Sequence, residues 1–211
     1  MKKKTLTIAI ALVLVVALAV GATWAYLTAT AGPVTNTFTA GKAVAQGDLK
    51  LYEHLANQNT DGTYSLDKKA NTVTSNTYTV MPGVNLPKDP TVEVTKAEGP
   101  YYLFVEVTKG DSFKGEKAPL SCTVDGSHWV ALKIEGKEVY AYSTDGKTAA
   151  ILKDELTATP VLATIGNTDN TITVADADLT NVNCQLTFQA YACQAAGFAD
   201  ATAAFNACFG A

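Results

Sequence analysis

The distribution of apolar and polar residues separates a short apolar stretch near the N-terminus from a long alternating remainder. Three lysines, Lys2 to Lys4, precede an apolar run from about Leu6 to Val20, and small residues follow as far as Ala25. A basic start, an apolar centre and a small-residue end are typical of a secretory signal. We therefore predict a signal peptide over residues 1–25 and a secreted protein, either extracellular or held at the cell surface.

Two positions offer a cleavage site for this signal. Thr23 and Ala25 place small residues at the third and first positions before a cut, and Ala29 and Ala31 do so again in a better A-x-A pattern. The alternative is a retained anchor, because about 20 apolar residues are just long enough to span a bilayer. We expect cleavage after residue 25, or as late as residue 31, because small residues cluster where a signal peptidase needs them.

Alternation with a period of two dominates the rest of the chain and predicts strands. The strongest strand is expected over residues 101–108, whose odd-numbered residues share one apolar face. Leu55 is expected to share the buried face of its own strand with Leu49 and Leu51. Turn residues predict two hairpins, one between the strands over 128–134 and 138–142 and one between those over 161–165 and 171–174. Further strands are predicted over residues 48–55, 91–95 and 183–192.

The last predicted element is a helix from Asp200 to Phe209, with Asp200 as its N-terminal cap and Gly210 at its end. Phe205, Cys208 and Phe209 form one stripe of it, which needs a hydrophobic surface to cover. The fold class is therefore mainly β, an antiparallel β-sandwich of jelly-roll-like form with a short C-terminal helix, preceded by a signal-peptide helix. The predicted domains are the signal peptide over 1–25, an extended N-terminal segment over 26–47 and the β-sandwich domain over 48–211.

Charge argues against a nucleic-acid partner. The chain has 16 basic residues, all of them lysine, against 20 acidic ones, for a net charge of −4. Residues 1–25 contain three of the lysines and no acidic residue, so 13 lysines and 20 acidic residues give −7 without them. A nucleic-acid-binding face normally carries clustered basic residues with arginine among them.

The four cysteines suggest disulfides, because their number is even and the chain is expected to be exported. Cys184 and Cys193 lie nine residues apart in a segment with the pattern of one continuous strand, which would hold them about 30 Å apart. We therefore favour a Cys193–Cys208 disulfide, with Cys122–Cys184 as the second pairing. Free, buried thiols are the alternative.

Catalytic motifs are absent from the sequence. Glu53-His54 is not followed by the second histidine of H-E-x-x-H, and His128 stands alone. There is no C-x-x-C pair, no G-x-S-x-G motif and no glycine-rich nucleotide motif. A distant pairing of the two histidines and a Ser-His-Asp arrangement remain open, but we predict a protein that is not an enzyme and uses no cofactor.

Aromatic residues raise the alternative of a carbohydrate-binding or adhesion module at the cell surface. Tyr101, Tyr102, Trp129, Tyr140 and Tyr142 could form an exposed platform for sugar rings, or they could pack in the core, as aromatic residues of strands mostly do. Exposure discriminates between these two alternatives.

Several short motifs together resemble the TasA/camelysin family, whose signal peptides are cut by the dedicated peptidase SipW. The matching segments bracket most of the chain after the signal, although the middle from about Lys109 to Thr180 agrees only in β character. The four cysteines are not expected from the family pattern. The segments are Gly21–Ala25 followed by Asn36–Gly41, then Met81-Pro82-Gly83 leading into Leu86–Asp89, and last Leu186–Tyr191 with Gln194.

The resemblance implies a jelly-roll subunit of an extracellular biofilm matrix that assembles into fibres. Its implied partners are other copies of itself, a SipW-type signal peptidase, and other matrix or cell-surface components. Camelysin relatives are sometimes labelled metallopeptidases, but this sequence lacks the motif that such an activity would need.

In fibres of this family, the N-terminal segment of one subunit completes the sheet of the next. A donor strand must be extended, uncharged and β-prone, and the segment Thr35-Asn36-Thr37-Phe38-Thr39-Ala40 meets these conditions. The alternative is that these residues form an ordinary first strand of their own sandwich.

Overall fold

The computed structural model describes residues 43–69, 72–165, 170–176, 179 and 184–210. All of them belong to one of two compact units, the one that runs from Gly41 to Ala211. The predicted signal peptide, its cleavage residues Thr23, Ala25, Ala29 and Ala31, and the predicted donor strand from Thr35 to Ala40 lie outside the described residues. Within the described ranges, no helix combines the length and the apolar character needed to cross a membrane.

The described residues form twelve strands, a 3-10 turn over Asp111–Phe113 and one C-terminal helix. The strands are β1 (Leu49–Tyr52), β2 (Leu55–Gln58), β3 (Tyr64–Asp67), β4 (Asn85–Pro87), β5 (Thr91–Val94), β6 (Tyr101–Lys109), β7 (Leu120–Cys122), β8 (Trp129–Ile134), β9 (Lys137–Tyr142), β10 (Leu156–Pro160), β11 (Thr171–Val174) and β12 (Leu186–Gln194), and the helix is α1 (Ala201–Phe209).

These strands pair in antiparallel ladders. The largest sheet has the order β12-β6-β9-β8, and two three-stranded sheets have the orders β1-β5-β10 and β4-β11-β7. The strands β2 and β3 pair with each other as a separate hairpin. The fold is thus mainly β and sandwich-like with one short C-terminal helix, which confirms the predicted class.

The central strand β6 is apolar on both faces, so both faces of its sheet must be covered by other elements. Its odd-numbered residues, including Leu103 and Val105, pack with Val92 and Val94 of the β1-β5-β10 sheet. Its even-numbered residues Tyr102 and Phe104 pack on the other face of the sheet against Phe205 and neighbouring residues of α1. The four-stranded sheet is therefore covered by a second sheet on one side and by a helix on the other.

Several predicted elements are confirmed. The strands β5 and β6, the β8–β9 hairpin with Gly136 at φ 70° in its turn, and the helix α1 all lie where the sequence indicates. Asp200 caps α1, because its carboxylate accepts a hydrogen bond from the backbone N–H of Ala203 at 2.8 Å. The apolar stripe of α1 packs on the face of the four-stranded sheet that carries Tyr102 and Phe104.

Two of the predicted secondary-structure elements are wrong. The strand expected over 48–55 breaks after Tyr52, so Leu55 begins β2 and is 38% exposed, while Glu53 is buried. The hairpin expected between 161–165 and 171–174 does not form, because β11 pairs with β4 and β7 instead. Local turn residues suggested that hairpin, but pairing with strands distant in sequence determines the position of β11.

Candidate functional site

The outer edge of β12 is the first candidate site. β12 pairs with β6 over nine residues, from Leu186 opposite Lys109 to Gln194 opposite Tyr101. Within the described part of the chain, β6 is its only ladder partner, so β12 lies at the edge of the four-stranded sheet. An edge strand presents a row of backbone N–H and C=O groups that can pair with another strand. The sequence of β12, LTFQAYACQ, contains no charged residue and no proline to oppose such pairing.

A groove of about 580 Å³ runs beside this edge. One wall consists of residues 43–46 and Leu49, and the other of residues 190–194 with Cys208 and Phe209 from the end of α1. Ala43 and Val44 also pack against the main core, and the carbonyl of Ala43 accepts a hydrogen bond from the N–H of Glu98 at 2.7 Å. Residues 43–46 therefore lie beside the edge strand and pack on the core.

A disulfide joins Cys193 of β12 to Cys208 of α1, with the Cα atoms 6.5 Å apart. This is the pairing that the sequence favoured. The second predicted pairing is wrong, because Cys122 and Cys184 carry thiols. Cys122 lies in β7, opposite Ile172 of β11, and burial raises the pKa of its thiol.

Aromatic packing holds α1 against the sheet beside this groove. The ring of Phe205 lies 5.3 Å from that of Phe104, 5.8 Å from that of Tyr191 and 5.6 Å from that of Phe209, measured between centroids. The hydroxyl of Tyr191 donates to Glu106 at 3.0 Å. Burial, together with this hydrogen bond, raises the pKa of Tyr191 to about 12.

The aromatic residues proposed as a sugar platform do not form one. Tyr101, Tyr102, Trp129 and Tyr142 are buried, with Trp129 only 2% exposed, and Tyr140 is half-buried and packs against the same core. The indole N–H of Trp129 donates to the carbonyl of Pro160 at 2.8 Å, so its polar edge is also used inside the protein. These rings therefore belong to the core, in agreement with the packing alternative.

His128 lies beside a serine and an aspartate, but not in the geometry of a catalytic triad. His128 Nδ1 lies 2.7 Å from Asp125 Oδ2, and the hydroxyl of Ser127 donates to the other oxygen of the same carboxylate. A catalytic triad needs the serine at the second ring nitrogen, Nε2, of the histidine, whereas here serine and aspartate both lie on the Nδ1 side. His54 pairs with Asp89 instead. Among the described residues, no group of three or more His, Cys, Asp or Glu side chains could hold a metal ion.

Two consecutive side-chain pairs join the chain between β1 and β2 to the chain between β4 and β5, and the first of them is an ion pair. Lys88 Nζ donates to Glu53 Oε1 at 2.5 Å, and both side chains are only 9% exposed. The next residue on each segment forms the second pair: Asp89 Oδ2 lies 2.6 Å from His54 Nδ1, and Asp89 Oδ1 accepts from the His54 backbone N–H at 3.0 Å.

Asn76 completes this cluster. Its amide nitrogen donates to Glu53 Oε2 at 3.0 Å and to the His54 carbonyl at 2.9 Å, while its amide oxygen accepts from the N–H of Ala56 at 2.8 Å. We did not predict the cluster from sequence. The available signal was Glu53 itself, an acidic residue in the same alternating set as Leu49 and Leu51.

Comparison with known proteins identifies no relative that could assign a role to these sites. No family model matches the chain, and neither the curated proteins nor the solved structures include a significant match.

Proposed function

We propose that this chain is an exported structural protein of an extracellular, biofilm-like matrix, and that it assembles into fibres when the N-terminal segment of one copy pairs with β12 of the next. The observation that carries the proposal is the nine-residue edge of β12, uncharged and proline-free, with a groove beside it. Soluble β proteins usually protect such an edge with charge, proline or a covering segment.

The proposed donor is Thr35 to Ala40. Its six residues carry no charge, and a strand of this length can form about six backbone hydrogen bonds with one neighbour. At about 1 kcal/mol net for each bond, backbone pairing alone would contribute about 6 kcal/mol before the cost of ordering the segment. Burial of the Phe38 ring in the groove would add about 2 kcal/mol.

The disulfide and the resemblance to the TasA/camelysin family support export. Disulfides persist mainly in oxidising compartments outside the cytosol, and Cys193–Cys208 lies directly at the proposed acceptor strand. A SipW-type peptidase would release the signal, and other matrix or cell-surface components would be further partners of the fibre. No arrangement of the described side chains favours a peptidase, so we propose no enzymatic activity.

The test compares two purified forms, one beginning at Tyr26 and one beginning at Gly41. The shorter form lacks the donor but keeps Ala43 and Val44, which pack against the core, so its subunit should fold. We expect the longer form to give fibres or high oligomers by electron microscopy and size-exclusion chromatography, and the shorter form to stay monomeric. Two folded monomers, or two forms that assemble equally, would overturn the proposal.

Single substitutions in the donor refine the test. Phe38→Asp should abolish assembly of the longer form without lowering its melting temperature, because a charge would enter an apolar groove. Thr37→Asp is the matched control, since neighbouring residues of a strand face opposite sides, and it should still assemble. If Phe38→Asp melts the monomer instead, the segment is a strand of its own sandwich.

A further inference from the structure

The Glu53–Lys88 ion pair lies in the wall of a cavity of about 620 Å³, which we call the Lys88 cavity. Besides the ion pair, its lining includes Asn76, the aromatic residues Tyr78 and Phe188, and the hydroxyl-bearing residues Thr74, Ser75 and Thr77. The volume lies within the range of about 300–1,000 Å³ that is usual for small-molecule sites. This cavity is distinct from the groove beside β12.

The ion pair has hydrogen-bonding capacity that the protein does not use. An ammonium group has three N–H donors, and within the described part of the chain Lys88 Nζ uses one of them, toward Glu53 Oε1. Each carboxylate oxygen can accept two hydrogen bonds, and each oxygen of Glu53 accepts one, from Lys88 and from Asn76. Unused donors and acceptors thus lie side by side.

Asn76 has a different role. Its two amide hydrogens and its oxygen are engaged with Glu53, His54 and Ala56. It therefore fixes the position of the Glu53 carboxylate and is not available to a ligand. A carboxylate held in this way is positioned before a ligand arrives, which reduces the entropy lost on binding.

The charges of the cavity wall favour a ligand without net charge. The carboxylate of Glu53 and the ammonium of Lys88 compensate each other, so a charged ligand would leave one charge uncompensated in a buried place. A hydroxyl group both donates and accepts, and it therefore matches an adjacent carboxylate and ammonium. Two neighbouring hydroxyls would use the free positions of both groups.

Apolar surface complements these polar groups. The rings of Tyr78 and Phe188 line the cavity, and Lys88 Nζ lies 5.7 Å from the centre of the Phe188 ring. The hydroxyl of Tyr78 donates to the Pro87 carbonyl at 2.6 Å, which fixes that ring. Aromatic carbon beside paired polar groups is the combination that suits a sugar ring, which has an apolar C–H face and a rim of hydroxyls.

We propose that the Lys88 cavity binds a neutral saccharide, with Glu53 and Lys88 contacting two adjacent hydroxyls. This is a second function, beyond the assembly of fibres. It would attach a matrix subunit to neutral polysaccharide through a cavity lined by Leu186, Thr187 and Phe188 at the start of β12, whereas the groove lies along residues 190–194 of the same strand.

The experiment titrates cellobiose, maltose and N,N′-diacetylchitobiose into the form that begins at Gly41, which lacks the donor segment and so separates saccharide binding from assembly. Saturation-transfer difference and amide chemical-shift NMR would report contact with the sugar and the residues affected. We expect at least one of the three sugars to bind and to shift amides that line the cavity. If none binds, or if the shifts lie elsewhere on the protein, the proposal is wrong.

A matched pair of variants locates the site without breaking the ion pair. Thr77 and Thr79 are both exposed residues of one irregular segment, and only Thr77 belongs to the cavity lining. Thr77→Trp fills the cavity and should weaken binding by about tenfold or more, since each tenfold corresponds to about 1.4 kcal/mol. Thr79→Trp should bind as the parent does, and equal binding by both variants would overturn the assignment.

Two further measurements test the chemistry. Lys88→Met removes the donors and should abolish binding in a protein that circular dichroism shows to be folded.

Leucine, a zwitterion, tests the competing ligand class, because its carboxylate and ammonium could pair with Lys88 and Glu53. Binding of leucine more tightly than all three sugars would overturn the saccharide assignment.

Discussion

Replacement of both Cys193 and Cys208 by alanine is expected to lower the free energy of unfolding by about 3–4 kcal/mol. The two residues are separated by 15 positions. Closing a loop of that length removes about 10 cal/mol/K of entropy from the unfolded chain, which is about 3 kcal/mol at 25 °C. Cys193 is also buried, so loss of its sulfur leaves a small void that adds up to about 1 kcal/mol.

Urea unfolding of the form beginning at Gly41, followed by circular dichroism, measures this difference. The parent protein with its disulfide reduced is the control, because it loses the cross-link but keeps both sulfur atoms. It should lose about 3 kcal/mol, and the double variant slightly more. The helix signal should persist in both, since Phe205 and Phe209 still pack on the sheet. A loss below about 1 kcal/mol would refute the argument that the cross-link acts mainly on the unfolded chain.

Three other substitutions test the core and its turns. Phe205→Ala should cost about 3–5 kcal/mol in urea unfolding, because this fully buried ring packs against Phe104. Trp129→Phe should cost about 1–3 kcal/mol in the same assay, since it removes the indole donor from the half-buried Pro160 carbonyl. The pKa of Asp145 lies well below its ordinary value because backbone N–H groups of its own turn donate to the carboxylate. Its stabilising effect is therefore present above the unfolded pKa of about 3.9 and is lost as the pH falls below it. Asp145→Asn should accordingly flatten the acid side of a plot of unfolding free energy against pH, and an unchanged acid slope would contradict this account.

The elements that could be predicted from sequence are those set by local pattern. β5 and β6 consist largely of β-branched and aromatic residues, and α1 has both a capping residue and an apolar stripe. The sequence of β6 is apolar at even and odd positions alike, which is the pattern of a strand covered on both sides. The structure accounts for this pattern, because a second sheet and a helix cover the two faces.

The candidate sites depend on contacts between residues distant in the chain. Local sequence pattern does not predict such contacts. His54 and Asp89, like Glu53 and Lys88, are 35 residues apart. The edge position of β12 follows from the order of strands in the sheet. The Cys193–Cys208 pairing could be predicted because the two residues are only 15 positions apart. Each lies in an element, β12 or α1, that its own sequence pattern indicates.

The β2–β3 hairpin makes this subunit suitable as a carrier for foreign sequence. Its two strands pair with each other and, within the described residues, with no other strand. At its tip the N–H of Asn59 donates to the carbonyl of Thr63 at 2.8 Å. The two ends of a segment inserted between these residues would therefore lie close together. Exposed tips of this kind tolerate added domains. A binding peptide or an enzyme grafted between Thr60 and Asp61 would be displayed once per copy, and in the proposed fibre its spacing would equal the fibre repeat.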